Sequence, residues 1–168
     1  MADRKPAIAT MRSTVQPQRR AFSEMITLIH SVGLRPTRQR LALAKLLFEN
    51  GHRHVTADQL HSEVLATGVT VSLATVYNTV HQFVDVGLLK QVVIDPGRTY
   101  FDTNTKDHHH FYDSETGELT DIHNDEVAIS LMPKTPQGMH LRNTHVIFTI
   151  DRRPAVSISD TRAGNDND

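Results

Sequence analysis

The sequence predicts an α+β chain, in which an N-terminal winged helix-turn-helix domain is followed by a small α/β dimerisation domain. Three observations carry this. Apolar residues recur at spacings of three and four through successive stretches between residues 21 and 86. Two β-prone runs flanking Asp95-Pro96-Gly97-Arg98 come directly after the last of these stretches. Beyond the consecutive His108, His109 and His110, the β-prone segments are short and separated by turn residues.

The first helix is expected from Ala21 to Val32, with Phe22, Met25, Ile26 and Ile29 on one face and Gly33 closing it. Leu34-Arg35-Pro36-Thr37 turns the chain. Thr37 is placed to cap a second helix, Arg38 to Phe48, with Leu41, Ala44, Leu47 and Phe48 inward and Arg38 and Arg40 on its polar side. Thr56-Ala57-Asp58-Gln59 matches a capping box, in which the Thr hydroxyl and the Gln side chain each satisfy one orphan amide. The helix it opens runs for about ten residues before Gly68 and buries Leu60, Val64 and Leu65. Ser72 caps the next, whose apolar positions are Leu73, Val76, Val80, Phe83 and Val84, with Gly87 at its C-terminal end. Its polar face carries Thr75, Asn78, Thr79, Gln82 and Asp85, with Tyr77 at the margin.

Two short helices joined by a few residues, the second polar near its start, form the helix-turn-helix arrangement, although any helical domain contains packed pairs. The segment Leu88 to Asp102 favours a DNA-binding reading, because a hairpin directly after such a pair is a wing. Pro96 and Gly97 suit the central positions of a type II turn, which needs φ > 0 at the glycine. Strands are expected at Phe111 to Asp113, Glu118 to Ile122 and His145 to Ile150, and a short helix from Asn124 to Leu131, ended by Pro133 and Pro136. So small a sheet buries little surface alone, and a homodimer is expected. The domains are therefore 1–20, a disordered basic arm; 21–102, winged helix; 103–150, dimerisation and sensing; and 151–168, a disordered tail.

Composition narrows the chemistry. The 168 residues include no cysteine, which excludes disulfides, thiolate nucleophiles and cysteine-bound zinc, so any metal must sit on His, Asp or Glu. No apolar run approaches the roughly 20 residues of a membrane span, and no secretory signal opens the chain, so a cytoplasmic protein without membrane contact is expected. Charge is divided: residues 1 to 100 hold 12 Lys and Arg against 7 Asp and Glu, and residues 101 to 168 hold 6 against 12. The basic half suits a phosphate backbone, and the acidic half, bearing the histidine run, suits cations. Three adjacent imidazoles beside carboxylates read as a metal-sensing hinge, with a solvated polar loop as the bland alternative.

Gly33-Leu34-Arg35-Pro36-Thr37, His54-Val55-Thr56-Ala57, Ser72-Leu73-Ala74-Thr75-Val76-Tyr77 and the histidine run, in this order and spacing, resemble the ferric uptake regulator family of bacterial metal-responsive repressors over residues 21 to 150. The resemblance implies a double-stranded DNA partner, an A·T-rich palindromic operator bound by a homodimer. Tyr77 would touch thymine methyls and Arg35 would enter the minor groove. Arg38, Arg40, Ser72, Thr75, Asn78 and Arg98 complete the candidate DNA-binding residues, Asn78 standing where the family usually has Arg.

The resemblance further implies a regulatory site for Fe²⁺ or Mn²⁺ at His54, Asp102, His108, His110 and Asp121. A second site would take Asp107, His109 and His145, but its helical Glu falls at Ala128, leaving Glu126, His123 and His140 as substitutes. The family's structural zinc, held by four cysteines, is absent, its first cysteine pair falling at Asp113 and Thr116. This combination is similar to the iron response regulators, a branch that senses iron through haem and acts when iron is scarce. It implies haem ligation at His108, His109 and His110, with haem releasing the protein from genes of haem synthesis and iron homeostasis. A mononuclear His/carboxylate metalloenzyme is the reading from another class, though no catalytic motif supports it.

Overall fold

A computed structural model describes residues 22–151. The expected basic arm at 1–20 and nearly all of the expected tail lie outside these residues. The described chain forms two compact units, the first ending at Thr105 and the second beginning at Lys106. No described helix is long and apolar enough to cross a membrane.

In the first unit, helices α1 (Phe22–Ser31), α2 (Arg38–Phe48), α3 (Ala57–Ala66) and α4 (Leu73–Asp85) pack on a three-stranded sheet. Its strands are β1 (His54–Val55), β2 (Lys90–Asp95) and β3 (Arg98–Asp102), in the antiparallel order β1-β3-β2. This is the expected helix-turn-helix with a wing. The caps form as the sequence requires. Thr37 accepts from Arg40 N at 3.2 Å, Ser72 from Thr75 N at 3.1 Å, and Thr56 and Gln59 make the reciprocal capping box. Removing the Thr56 hydroxyl leaves an amide at the start of α3 without its partner. Thr56→Ala should therefore lower stability by about 1 kcal/mol, read from urea or thermal unfolding. After α4, Gly87 takes φ 75°, the left-handed conformation that ends a helix at low steric cost.

The core holds Met25, Ile29, Leu43, Leu47, Leu60, Val64, Val76, Val80, Phe83 and Phe101, all essentially inaccessible. Several expected faces are rotated. Leu43 is buried in α2, whereas Leu41 and Phe48 are only partly covered. In α3, Ala57, Leu60 and Val64 form the i, i+3, i+7 stripe, which leaves Leu65 45% exposed. Thr79, expected on the polar face of α4, is buried because its hydroxyl donates to Thr75 O at 2.8 Å and so carries no unmet polarity inward. Phe22 opens α1 on the surface. The wing turn also differs: Gly97 is not in the positive-φ region that a type II turn requires. Asp95 Oδ1 instead accepts from Gly97 N at 3.0 Å, closing the bend as an Asx turn.

The second unit is a sheet of β4 (His109–Asp113), β5 (Leu119–Ile122) and β6 (Ile147–Ile150), in the order β5-β4-β6. β4 and β5 are antiparallel across a short turn, and β6 joins β4 in parallel after a long crossover. The helix expected from Asn124 to Leu131 reduces to a single 3₁₀ turn, Asn124–Glu126. Glu126 Oε1 accepts from His123 N at 3.1 Å to cap it, and Val127 is already extended. Strand β4 starts at His109, two residues earlier than the aromatic run suggested, and His108, His109 and His110 are all buried, so they do not form a solvated loop.

Candidate functional site

The β1–β3 pairing places His54 directly opposite Asp102 in the first unit. Asp102 is 0% exposed, its Oδ1 accepts from Asn104 N at 2.7 Å, and its Oδ2 lies 3.6 Å from His54 Nε2. A carboxylate is kept inside a protein only with compensating partners, and a cation is the strongest of these. The pair offers one imidazole and one carboxylate donor.

In the second unit, strand alternation separates the three histidines. His108 and His110 lie on one face and His109 on the other. His110 pairs in register with Asp121 on β5. His108 Nε2 and His110 Nε2 approach to 2.9 Å, and Asp121 Oδ1 lies 3.3 Å and 3.6 Å from them. One ligand atom from each of His108, His110 and Asp121 falls within 4.8 Å of the others. Two imidazole nitrogens bound about 2.1 Å from one ion at near-right angles would be separated by about 3 Å, so the observed spacing suits neighbouring ligands of a single small cation. His108 Nδ1 is 2.8 Å from the Lys106 carbonyl oxygen, which only accepts, so Nδ1 donates to it and Nε2 is the nitrogen turned to His110 and Asp121. This donor set, two imidazoles and a carboxylate, fits Fe²⁺ or Mn²⁺.

The second metal set does not gather. His109 Nδ1 accepts from Val146 N at 3.3 Å and is occupied by the backbone. His145 Nε2 lies 2.6 Å from His110 Nδ1, Glu126 is engaged as a cap, and His123 and His140 join no three-donor cluster among the described residues. Ala128 supplies no donor. The joint assignment of haem to His108, His109 and His110 is also at odds with the geometry. All three are buried, His109 faces away, and the close His108–His110 approach leaves no space for a macrocycle between two axial imidazoles.

The candidate DNA-binding residues cluster around α2 and α4. Arg35 and Arg38 are exposed near the start of α2, Asn78 is exposed on α4, and Arg98 is exposed at the wing. Tyr77 is 40% exposed, and its hydroxyl donates to Asp58 Oδ2 at 3.2 Å. Desolvation and the neighbouring Asp58 raise its pKa above the ordinary tyrosine value, so it remains a neutral donor at physiological pH. Ser72 and Thr75 hydroxyls face each other at 2.8 Å at the start of α4, Ser72 also serving as cap.

Arg40 departs from expectation. Its guanidinium donates to the Arg35 carbonyl and, at 2.5 Å, to Gln82 Oε1, which directs it to a bridge between the Arg35 turn and α4. The periodicity that put Arg40 on a polar face could not show that Gln82 of α4 meets it there. Asp58, as partner of Tyr77, and strand β1 were also not legible. Two residues provide too short a stretch for a period-2 signal.

A sequence profile described as the Ferric uptake regulator family matches residues 31–149. The peroxide-responsive repressor PerR of Staphylococcus epidermidis is 32% identical over 102 residues, covering 61% of this chain and 67% of its own. Its counterpart from Staphylococcus saprophyticus is 31% identical over 102 residues, with 61% and 68% covered. Among solved structures, the Vibrio cholerae ferric uptake regulator matches with a TM-score of 0.60 at 23% identity, over 75% of this chain and 98% of that one. The Pseudomonas aeruginosa ferric uptake regulator with manganese gives 0.57 at 21%, over 76% and 97%. At these identities the structural matches bear on fold alone.

Proposed function

Because the chain belongs to the ferric uptake regulator family, whose members are transcription regulators and not enzymes, we propose that it is a cytoplasmic, homodimeric, DNA-binding repressor controlled by a divalent metal ion, Fe²⁺ or Mn²⁺. One observation carries the metal reading: His108, His110 and Asp121 converge while His108 holds its proton on the far nitrogen. The family resemblance also implies metal-binding roles for His54 and Asp102 of the first unit. The ion would supply the charge that holds its donors in one arrangement, favouring the protein state that fits the operator.

The family resemblance implies an A·T-rich, palindromic double-stranded operator as the partner, with Tyr77 on thymine methyls, and the exposed Arg35, Ser72 and Asn78 suit a DNA-facing surface. Phosphate contacts by Arg38 and Arg98, with Arg35 in the minor groove, make affinity fall steeply with salt. Tyr77→Ala should weaken operator binding by about 1 to 3 kcal/mol, measured by fluorescence anisotropy, while Tyr77→Phe keeps most of the affinity. For the homodimer, the support is apolar exposure. Phe111 and Phe148 are register partners with ring centroids 5.7 Å apart on an open face of the sheet, and Leu131 is 85% exposed.

Haem is the second reading, favoured by the sequence Asp107-His108-His109-His110 without cysteine. It requires one imidazole to leave the buried arrangement, with control of haem synthesis and iron homeostasis genes as the biological output. A gel shift on metal-free protein at fixed salt, with Mn²⁺ or haem added separately, tests both. Operator binding only with Mn²⁺ upholds the divalent-metal regulator. Binding without metal and release by haem replaces it with the haem-responsive regulator.

A further inference from the structure

His145 stands on the far side of His110 from the convergence of donors. Backbone pairing fixes it there. β6 runs parallel to β4 with His110 opposite Ile147, and His110 N donates to Val146 O at 3.1 Å. The residue before Val146 is thereby brought beside the His110 ring. Its Nε2 lies 2.6 Å from His110 Nδ1, with the two rings nearly perpendicular at 85°. His109, the residue with which His145 would share a second ion, has its Nδ1 occupied by Val146 N.

We propose that His145 is a positioning residue for the metal centre, which holds the His110 ring through Nδ1 so that Nε2 faces the ion, and is not a ligand of a second ion. The proposal rests on the divalent-metal reading above. An imidazole that binds metal through Nε2 must carry its proton on Nδ1, and a partner at Nδ1 then sets both ring orientation and tautomer. His108 obtains this from the Lys106 carbonyl, and His110 obtains it from His145. The partners differ in one respect. A carbonyl only accepts, whereas an imidazole nitrogen such as His145 Nε2 accepts or donates according to tautomer.

The test is a calorimetric titration of the full chain with Co²⁺ as probe, alongside its visible absorption, for wild type, His145→Ala, His145→Gln and His109→Ala. Expected is one Co²⁺ per chain in all four, with the same band positions. Affinity should fall about 10- to 100-fold in His145→Ala. It should return substantially in His145→Gln, whose amide accepts or donates, and remain unchanged in His109→Ala. A second equivalent in wild type, lost in His145→Ala while the first keeps its affinity, would make His145 a ligand and overturn the proposal. So would an affinity in His145→Ala within twofold of wild type, or complete loss in both His145 variants. Wild type that binds no Co²⁺ overturns the divalent-metal reading itself, and this proposal with it.

Discussion

His110→Ala is expected to abolish the Mn²⁺ dependence of operator binding. His110 contributes one of the two converging imidazoles, is 1% exposed, and links Asp121 on one side to His145 on the other. Its removal deletes a ligand outright and leaves His108 and Asp121 as the donors in that unit. The loss of metal affinity should therefore exceed the roughly 10- to 100-fold expected for an outer partner such as His145. Competition with a metal-binding dye measures the affinity, and a gel shift at a Mn²⁺ concentration that saturates wild type measures the response. Folding is checked independently, because the first unit's helices contain none of this triad and should keep their circular dichroism. Unchanged Mn²⁺ dependence in this variant would place the regulatory ion elsewhere.

Phe83→Ala is expected to remove most of the first unit's stability. Phe83 lies on the inward face of α4, fully buried, with its ring 6.1 Å from that of Phe48 on α2. Truncation leaves a cavity under the helix that presents Tyr77 and Asn78, at a cost of about 3 to 5 kcal/mol. Since a domain is stable by only about 5 to 15 kcal/mol, urea unfolding should shift far towards zero denaturant. Operator binding should fall through loss of folded protein, so Phe83→Leu, which refills much of the space, should recover both together. A loss of DNA binding in Phe83→Ala without loss of stability would contradict this account.

The first unit was largely legible because its signals are local. Thr37, Thr56 and Ser72 cap the helices they precede, and the spacing of Met25 and Ile29, or of Val76, Val80 and Phe83, shows which face turns inward. The errors arise where a neighbour decides. Leu65, expected inside, is exposed, and Leu43, not among the expected inward positions, is buried, because the contacting element, not the periodicity, selects the centre of the stripe. Arg40 has an ordinary polar-face signature, yet Gln82, 42 residues away, claims its guanidinium. In the second unit, aromatic and β-branched residues indicated the strands but not where β4 begins. The expected helix from Asn124 lacked the tertiary cover that a short helix needs, and only one turn remains. The donors that converge, His108, His110 and Asp121, could be named from the family pattern. The partner of His145 could not, since nothing in its local sequence states that β6 lies parallel to β4.

The alternation of side chains along β4 makes the chemistry of this unit sensitive to insertions in an uneven way. A slip of β4 by one residue against β5 would turn His109 towards Asp121 and carry His108 and His110 to the opposite face, replacing a two-imidazole set with a single one. The connection from Ile122 to Ile147 carries no such constraint, because doubling a loop's length costs only about 0.6 kcal/mol in closure entropy. Lengthening near Gln137 and Gly138 should therefore leave metal affinity nearly intact. One residue added between His110 and Tyr112 should shift the register beyond the insertion, and the pairing that holds the site should be lost.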